Sequence, residues 1–275
     1  MEHEERISPA SDPRLIAEHE TRYRFARGAI EHAATWCDLG CGTAAGSSRA
    51  LTDALPEAVV LVDLSEDAID SACRNLGRAG AHRNQADLTI DSDLQRLRNL
   101  LDSLPKPLVV TCFEVIEHLP TIQPIIAFFS ALADDGATVV ISAPNDVFHG
   151  VTNPYHLTAW GASTFREFVQ FLPTDRRISE QYSVEGTTIV EKSSTSPMSV
   201  PATTPAMLGA SPAPFAFLVS FGPLAEQMSP VTATSVTDSV NQRMWEAQRA
   251  VDLEYYRRRL VELETELDAI RNSAP

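Results

Sequence analysis

The sequence predicts an α/β domain built on a mostly parallel sheet with helices on both faces, followed by an amphipathic C-terminal helix. Three observations predict it. Short apolar, β-branched runs alternate with helical stretches between about residues 15 and 145, the pattern of repeated βα units. A glycine-rich loop follows the first run, and an aspartate closes the second about 20 residues later. Past residue 225 the chain turns polar and then charged, with apolar residues at three- and four-residue steps.

The elements follow in order. Residues 1–14 are charged, hold no apolar stretch of signal-peptide type, and read as a flexible N-terminus. Residues 34–39 form a weak first strand, and 47–55, after the glycine loop, read as a helix. The runs at 59–62, 108–113 and 138–143 are buried strands, because each is too short for a helix and is closed by a polar residue or proline. Stretches 67–76 and 122–132 read as covering helices, and Asp134-Asp135-Gly136 as the turn into the third run. A Ser/Thr/Pro/Ala-rich loop at 192–214 precedes the apolar run 215–221, the last strand of the same sheet. Residues 15–225 therefore make one domain, 226–239 a linker, and 240–271 a helix whose Leu253, Tyr256, Leu260, Leu263, Leu267 and Ile270 share a coiled-coil-like seam. That seam wants a partner, either the chain's own domain or a second copy, and Arg257, Arg258 and Arg259 beside it read as a solvated face.

The bulk composition narrows the function classes. With 275 residues, 44% hydrophobic and 21% charged, the chain has ordinary globular composition. Its net charge of -15 disfavours broad contact with nucleic acid or anionic membrane. No segment reaches the roughly 18 to 20 apolar residues of a membrane span, so the expected location is the cytoplasm. Cys37, Cys41, Cys73 and Cys112 form no C-x-x-C pair and read as small buried hydrophobes.

The sharpest local signal is Asp38-Leu39-Gly40-Cys41-Gly42-Thr43-Ala44-Ala45-Gly46. Glycines 40 and 42 allow a tight strand-to-helix turn and a close approach of ligand to backbone. Asp63, at the end of the second strand, is placed to accept hydrogen bonds from both hydroxyls of a ribose. This pair alone permits a dinucleotide. Asp38, beside the loop, would repel a pyrophosphate and suit a cationic ligand, which points to the sulfonium of S-adenosylmethionine (SAM).

These segments resemble the ordered motifs of class I SAM-dependent methyltransferases. Asp38-Leu39-Gly40-Cys41-Gly42-Thr43 is similar to the first motif, Val62-Asp63-Leu64-Ser65 to the second and Gln85-Ala86-Asp87 to the third. Phe113-Glu114-Val115-Ile116-Glu117-His118-Leu119 resembles the segment after the fourth strand, and residues 141–145 the fifth. Arg22-Tyr23-Arg24-Phe25-Ala26 resembles the helix that closes over the cofactor. The resemblance implies a Rossmann-like class I methyltransferase sheet with Asp38, Gly40 and Gly42 around the methionine part of SAM. It further implies Asp63 on the ribose, Leu64 on adenine, Asp87 on its exocyclic amine and Phe113 in the cofactor site. Ala44 departs from the family's usual third glycine, which bears on cofactor affinity rather than on fold.

On the acceptor side, O-methylation requires a base near the fourth strand. One helical turn would gather Glu114, Glu117 and His118, and His118 is the first choice of base, with Glu117 beside it, because imidazole is usefully basic at neutral pH. Glu-x-x-Glu-His with a distant histidine also resembles the metal site of bacterial small-RNA 3'-terminal ribose methyltransferases, which makes Glu114, Glu117, His118 and His156 candidate ligands for Mn, Fe or Zn. Asn153 to His156, with Trp160, offers hydrogen bonders and an aromatic surface of the kind that lines a sugar site. The subgroup resembled is often found in glycan and secondary-metabolite assembly. The expected reaction is O-methylation of a sugar, glycan or small hydroxylated metabolite. The alternatives are metal-dependent methylation of an RNA 3'-terminal ribose and a non-catalytic SAM-binding scaffold that organises partners through its C-terminal helix.

Overall fold

The computed structural model describes residues 7–149, 153–182 and 213–229, together with Arg257, Arg259, Leu260 and Leu263, which are helical. Most of the 192–214 loop, most of the 226–239 linker and the rest of the 240–271 helix lie outside the described residues. Of the expected seam, the two described leucines, Leu260 and Leu263, are both exposed. No helix among the described residues is long and apolar enough to cross a membrane.

The chain runs through α1 (Pro13–Glu31), β1 (Thr35–Leu39), a short α2 (Ser47–Ala50), β2 (Ala58–Asp63), α3 (Glu66–Asn75), β3 (His82–Gln85), α4 (Asp91–Asp102) and β4 (Leu108–Phe113). It continues through α5 (Gln123–Asp134), β5 (Thr138–Pro144), α6 (Asp146–His149), α7 (Ala162–Phe168), β6 (Arg177–Gln181) and β7 (Ala216–Phe221). The strands form one seven-stranded sheet in the order β3-β2-β1-β4-β5-β7-β6. Strands β1 to β5 pair in parallel, while β7 runs antiparallel to both β5 and β6.

Alternation along the strands sends side chains to two cores. Cys37, Leu39, Val60, Val62, Val110, Cys112, Val139 and Ile141 pack on one face with apolar residues of α4, α5 and α7. Trp36, Val59, Leu61, Val109, Phe113 and Val140 pack on the other, under α1 and α3. Burial on both faces explains why β2, β4, β5 and β7 read as largely apolar runs, while Thr35 and Asp38 make the equally buried β1 the weaker signal. The helices start where capping chemistry allows: the Asp12 side chain accepts from Arg14 N at 2.9 Å with Pro13 following, and Ser65 accepts from Ala68 N at 3.3 Å.

Three features depart from expectation. Strands β3 and β6 lie at the two sheet edges and are largely exposed, so their sequences are polar and carry no apolar pattern. The helix expected at 47–55 ends at Ala50, because Leu51 leaves helical geometry and a turn closes from Ala54 N to Leu51 O at 3.0 Å. The N-terminal segment meets the glycine loop, with Thr43 Oγ1 donating to the Ile7 carbonyl at 2.7 Å.

Candidate functional site

The strand order reverses between β1 and β4, which leaves a crevice at their C-terminal ends. Leu39 lies opposite Cys112 in register, so the loop after β1 and the segment after β4 leave the sheet side by side. Gly40 (φ +69°) and Gly42 (φ +50°) occupy the left-handed region. A Cβ at Gly40 would sit 2.3 Å from Val115 Cγ2, so glycine lets the two segments touch. Ala44, also left-handed at φ +57°, is buried and adopts a conformation that costs an L residue about 1–2 kcal/mol. The turn therefore keeps its shape without the third glycine, under strain.

The acidic strand ends surround this loop. Asp63 accepts from Gly42 N through Oδ2 and from Ser65 N through Oδ1, both at 2.9 Å. Leu64 beside it is 65% exposed, an apolar surface standing open next to a carboxylate. Asp87, just past β3, accepts from the Thr89 backbone N–H at 2.9 Å and its hydroxyl at 2.6 Å, both through Oδ1. Cys41, like the other three cysteines, is buried and free.

Asp38 occupies a different place from the one its position suggests. Its side chain is fully buried beneath the loop, where Oδ2 accepts from Tyr23 OH at 2.8 Å and Oδ1 from Thr111 Oγ1 at 2.6 Å. Trp36 Nε1 in turn donates to Thr111 Oγ1 at 2.9 Å. Burial pushes the Asp38 carboxyl up to about 7, against the opposing pull of the Thr111 and Tyr23 hydrogen bonds. Phe113 is buried as well, edge-on to Tyr23 with ring centroids 4.9 Å apart. Both residues are buried, whereas Asp63 is bonded to the loop backbone and Leu64 stands exposed beside it.

Beyond β4 the expected helical turn is replaced by a left-handed residue, Glu114 (φ +55°), followed by a 3-10 turn over Ile116–His118. Glu114 is therefore set apart from Glu117 and His118. Glu114 accepts from Ser142 Oγ at 2.7 Å and pairs with Arg22 at 3.3 Å, and Arg22 Nε also donates to Gln181 Oε1 at 2.9 Å. Glu117 is 1% exposed, and its Oε2 is buried without a hydrogen-bond partner. Burial first, then the nearby Glu114 carboxylate, push the Glu117 carboxyl well above the usual carboxylate range.

Glu117, His118 and His156 come together, each offering one ligand atom, with all three atoms within 4.8 Å of one another. The two imidazoles meet edge to face with centroids 5.2 Å apart. His118 Nδ1 lies 3.0 Å from the Tyr155 carbonyl, and its Nε2 is 3.8 Å from Glu117 Oε1. The loop that carries His156 is anchored on this segment, since Leu157 N and Thr158 N both donate to the Glu117 carbonyl. Trp160, expected to line an acceptor site, is 2% exposed and packs edge-on against Phe165 and Phe168, while Tyr155 is the exposed aromatic. Sequence reasoning passed over Asp146, whose Oδ1 lies 2.6 Å from His156 Nδ1. Its signal was an acidic residue just past β5.

The sheet order, the glycine loop and the acidic strand ends define the class I SAM-dependent methyltransferase fold. A family model described as a methyltransferase domain matches residues 12–179, more than half of the chain, and the chain belongs to that family. Over 112 residues it is 36% identical to the ubiquinone biosynthesis O-methyltransferase of Methylococcus capsulatus, an alignment that covers 39% of this chain and 42% of that protein. Among solved structures, it is similar to the methyltransferase domain of bacterial CtHen1-C, with 18% identity, a TM-score of 0.49, and coverage of 74% of this chain and 98% of that one. It is also similar to a SAM-dependent methyltransferase from Archaeoglobus fulgidus, with 15% identity, a TM-score of 0.49, and coverage of 76% and 93%.

Two outcomes follow from the loop. A carboxyl whose folded value is raised binds its proton more tightly when folded, so its contribution is present at low pH and lost as pH rises from about 4 to about 7. The unfolding free energy of the wild type relative to Asp38→Asn should therefore fall by about 2 kcal/mol between pH 5 and pH 8 in urea titrations; a pH-independent difference would contradict the burial account. Ala44→Gly should raise stability by about 0.5–1 kcal/mol through relief of the left-handed strain, read as an upward shift of the thermal midpoint.

Proposed function

We propose that this protein transfers the methyl group of SAM to a hydroxyl oxygen of a sugar, a glycan or a small hydroxylated metabolite. The observation that supports this reading is the Glu117, His118 and His156 cluster beside the glycine loop, which puts an imidazole where an attacking hydroxyl needs a proton acceptor. The residues present fit the donor. The left-handed turn at Gly40 and Gly42 is the candidate cradle for the methionine part, Asp63 suits the ribose hydroxyls, and exposed Leu64 suits the adenine face. Asp87 is the candidate for the exocyclic amine. Asp38 and Phe113 act through Tyr23 and the loop.

Bound SAM supplies a methyl group already activated on a sulfonium. The acceptor hydroxyl oxygen forms its bond to the methyl carbon as the carbon–sulfur bond breaks, which leaves a neutral thioether, and the hydroxyl proton passes to His118 Nε2. His118 Nδ1 faces the Tyr155 carbonyl, an acceptor only, so Nδ1 carries the ring proton and Nε2 the lone pair.

The same cluster favours a metal-assisted form of the reaction. Glu117, His118 and His156 are an N/O donor set suited to Mn, Fe or Zn, and a divalent cation at the Glu117 carboxylate would offset the burial of its unpartnered Oε2. Such a cation would lower the cost of deprotonating the acceptor and hold adjacent hydroxyls. Glu114, the remaining residue of that motif, is already held by Arg22 and Ser142. The net charge of -15 weighs against RNA as the acceptor.

Radiolabelled SAM offered with a panel of monosaccharides, glycans, hydroxylated metabolites and RNA 3' ends should label a non-RNA hydroxyl. His118→Ala should lower the turnover number about 10²- to 10⁴-fold with SAM affinity unchanged. Chelator treatment that slows the reaction, with Mn²⁺ restoring it, would support the metal-assisted form. Retained SAM binding with no transfer to any acceptor would favour the scaffold.

A further inference from the structure

The loop from Asp146 to Trp160 does more than carry His156 to the cluster, because its hydrogen bonds determine which ring nitrogen is basic. Asn153 Oδ1 accepts from the Tyr155 backbone N–H at 3.0 Å, which turns its amide nitrogen toward His156 Nε2, also at 3.0 Å. An amide nitrogen only donates, so Nε2 must accept, and the ring proton must sit on Nδ1. From the other side, Asp146 Oδ1 stands 2.6 Å from Nδ1, and an ionised carboxylate only accepts. The two ends of the ring thus call independently for the same tautomer.

Asp146 is held for this task by its other contacts. Its Oδ2 accepts from Trp160 N at 2.6 Å, and its own backbone N–H donates to the Trp160 carbonyl at 2.9 Å. Its partner His156 is largely buried, so the carboxylate–imidazole pair is sheltered from water. His118 is oriented in the same sense by the Tyr155 carbonyl, one residue before His156.

We propose that Asp146 is a positioning residue that locks His156 in the Nδ1–H tautomer, which puts the ring's lone pair on Nε2, the atom that accepts from Asn153 and that a cation would take in place of that amide. Its role in transfer rests on the proposed hydroxyl methylation at this cluster. Carboxylates that orient ligating histidines in this way typically change metal affinity 10- to 100-fold when removed.

The test uses the full chain labelled with ¹⁵N-histidine. In the wild type, long-range ¹H–¹⁵N correlations should report His156 as the Nδ1–H tautomer; an Nε2–H ring would overturn the proposal without recourse to any variant. Asp146→Asn, made in an Asn153→Ala background and compared with Asn153→Ala alone so that the amide at Nε2 no longer fixes the tautomer, keeps the shape and an acceptor for the Trp160 N–H but turns an amide donor toward Nδ1. The variant should lose the Nδ1–H signature, and its Mn²⁺ affinity by calorimetry should fall about 10- to 100-fold, with S-adenosylhomocysteine affinity within about twofold of the wild type. An unchanged tautomer in the variant would overturn the proposal. A tautomer switch in a protein that binds no Mn²⁺ would uphold the positioning role and count against the metal-assisted form alone.

Discussion

A fully buried carboxyl at the reversal of the sheet holds the site together. Asp38 sits on β1, receives a hydroxyl from Thr111 on β4 and another from Tyr23 on α1, and through Thr111 is linked to Trp36. α1, β1 and β4 are thereby tied at one point, directly under the glycine loop. Leaving such a group unpaired in a dry interior costs several kcal/mol, so each hydroxyl is needed once the carboxyl is present. The consequence is positional: α1 cannot drift from the crevice without exposing or orphaning Asp38, and Arg22, one residue before Tyr23, is delivered to Glu114 and Gln181 by the same constraint.

Strain is concentrated around this point. Ala44 and Glu114 are the two non-glycine residues in the left-handed region among those described, and they lie on the loops that leave β1 and β4. Each costs on the order of 1–2 kcal/mol, and each is held by its surroundings, Ala44 by burial and Glu114 by Ser142 and Arg22. Bending the chain at Glu114 turns its side chain inward toward α1 and lets the next turn present Glu117 and His118 to the loop bearing His156.

Legibility in the sequence followed burial. Strands packed on both faces announce themselves as apolar runs, so residues 59–62, 108–113, 138–143 and 215–221 could be read directly, whereas the edge strands His82–Gln85 and Arg177–Gln181 are polar and carry no such pattern. The glycine loop and Asp63 were legible because their chemistry is local. The fate of Asp38 was not, since nothing in its neighbourhood tells whether a carboxylate faces a ligand or a tyrosine from a distant helix. Glu114, Glu117 and His118 were grouped by helical spacing, and the left-handed residue that separates Glu114 from the other two leaves no mark in composition. Trp160 reads equally well as an acceptor surface or as core, and two phenylalanines in the fold decide it: Phe165 and Phe168 cover it.

The family and the fold make the donor side of the crevice the foundation of the account, with acceptor chemistry built on it. Calorimetric titration of the full chain with S-adenosylhomocysteine, alongside Asp63→Ala, tests that foundation most directly. Binding near the micromolar range is expected for the wild type, with a loss of about 10- to 100-fold in the variant, the worth of hydrogen bonds to a charged group. Absence of binding to the wild type, or equal affinity in the two proteins, would contradict that expectation.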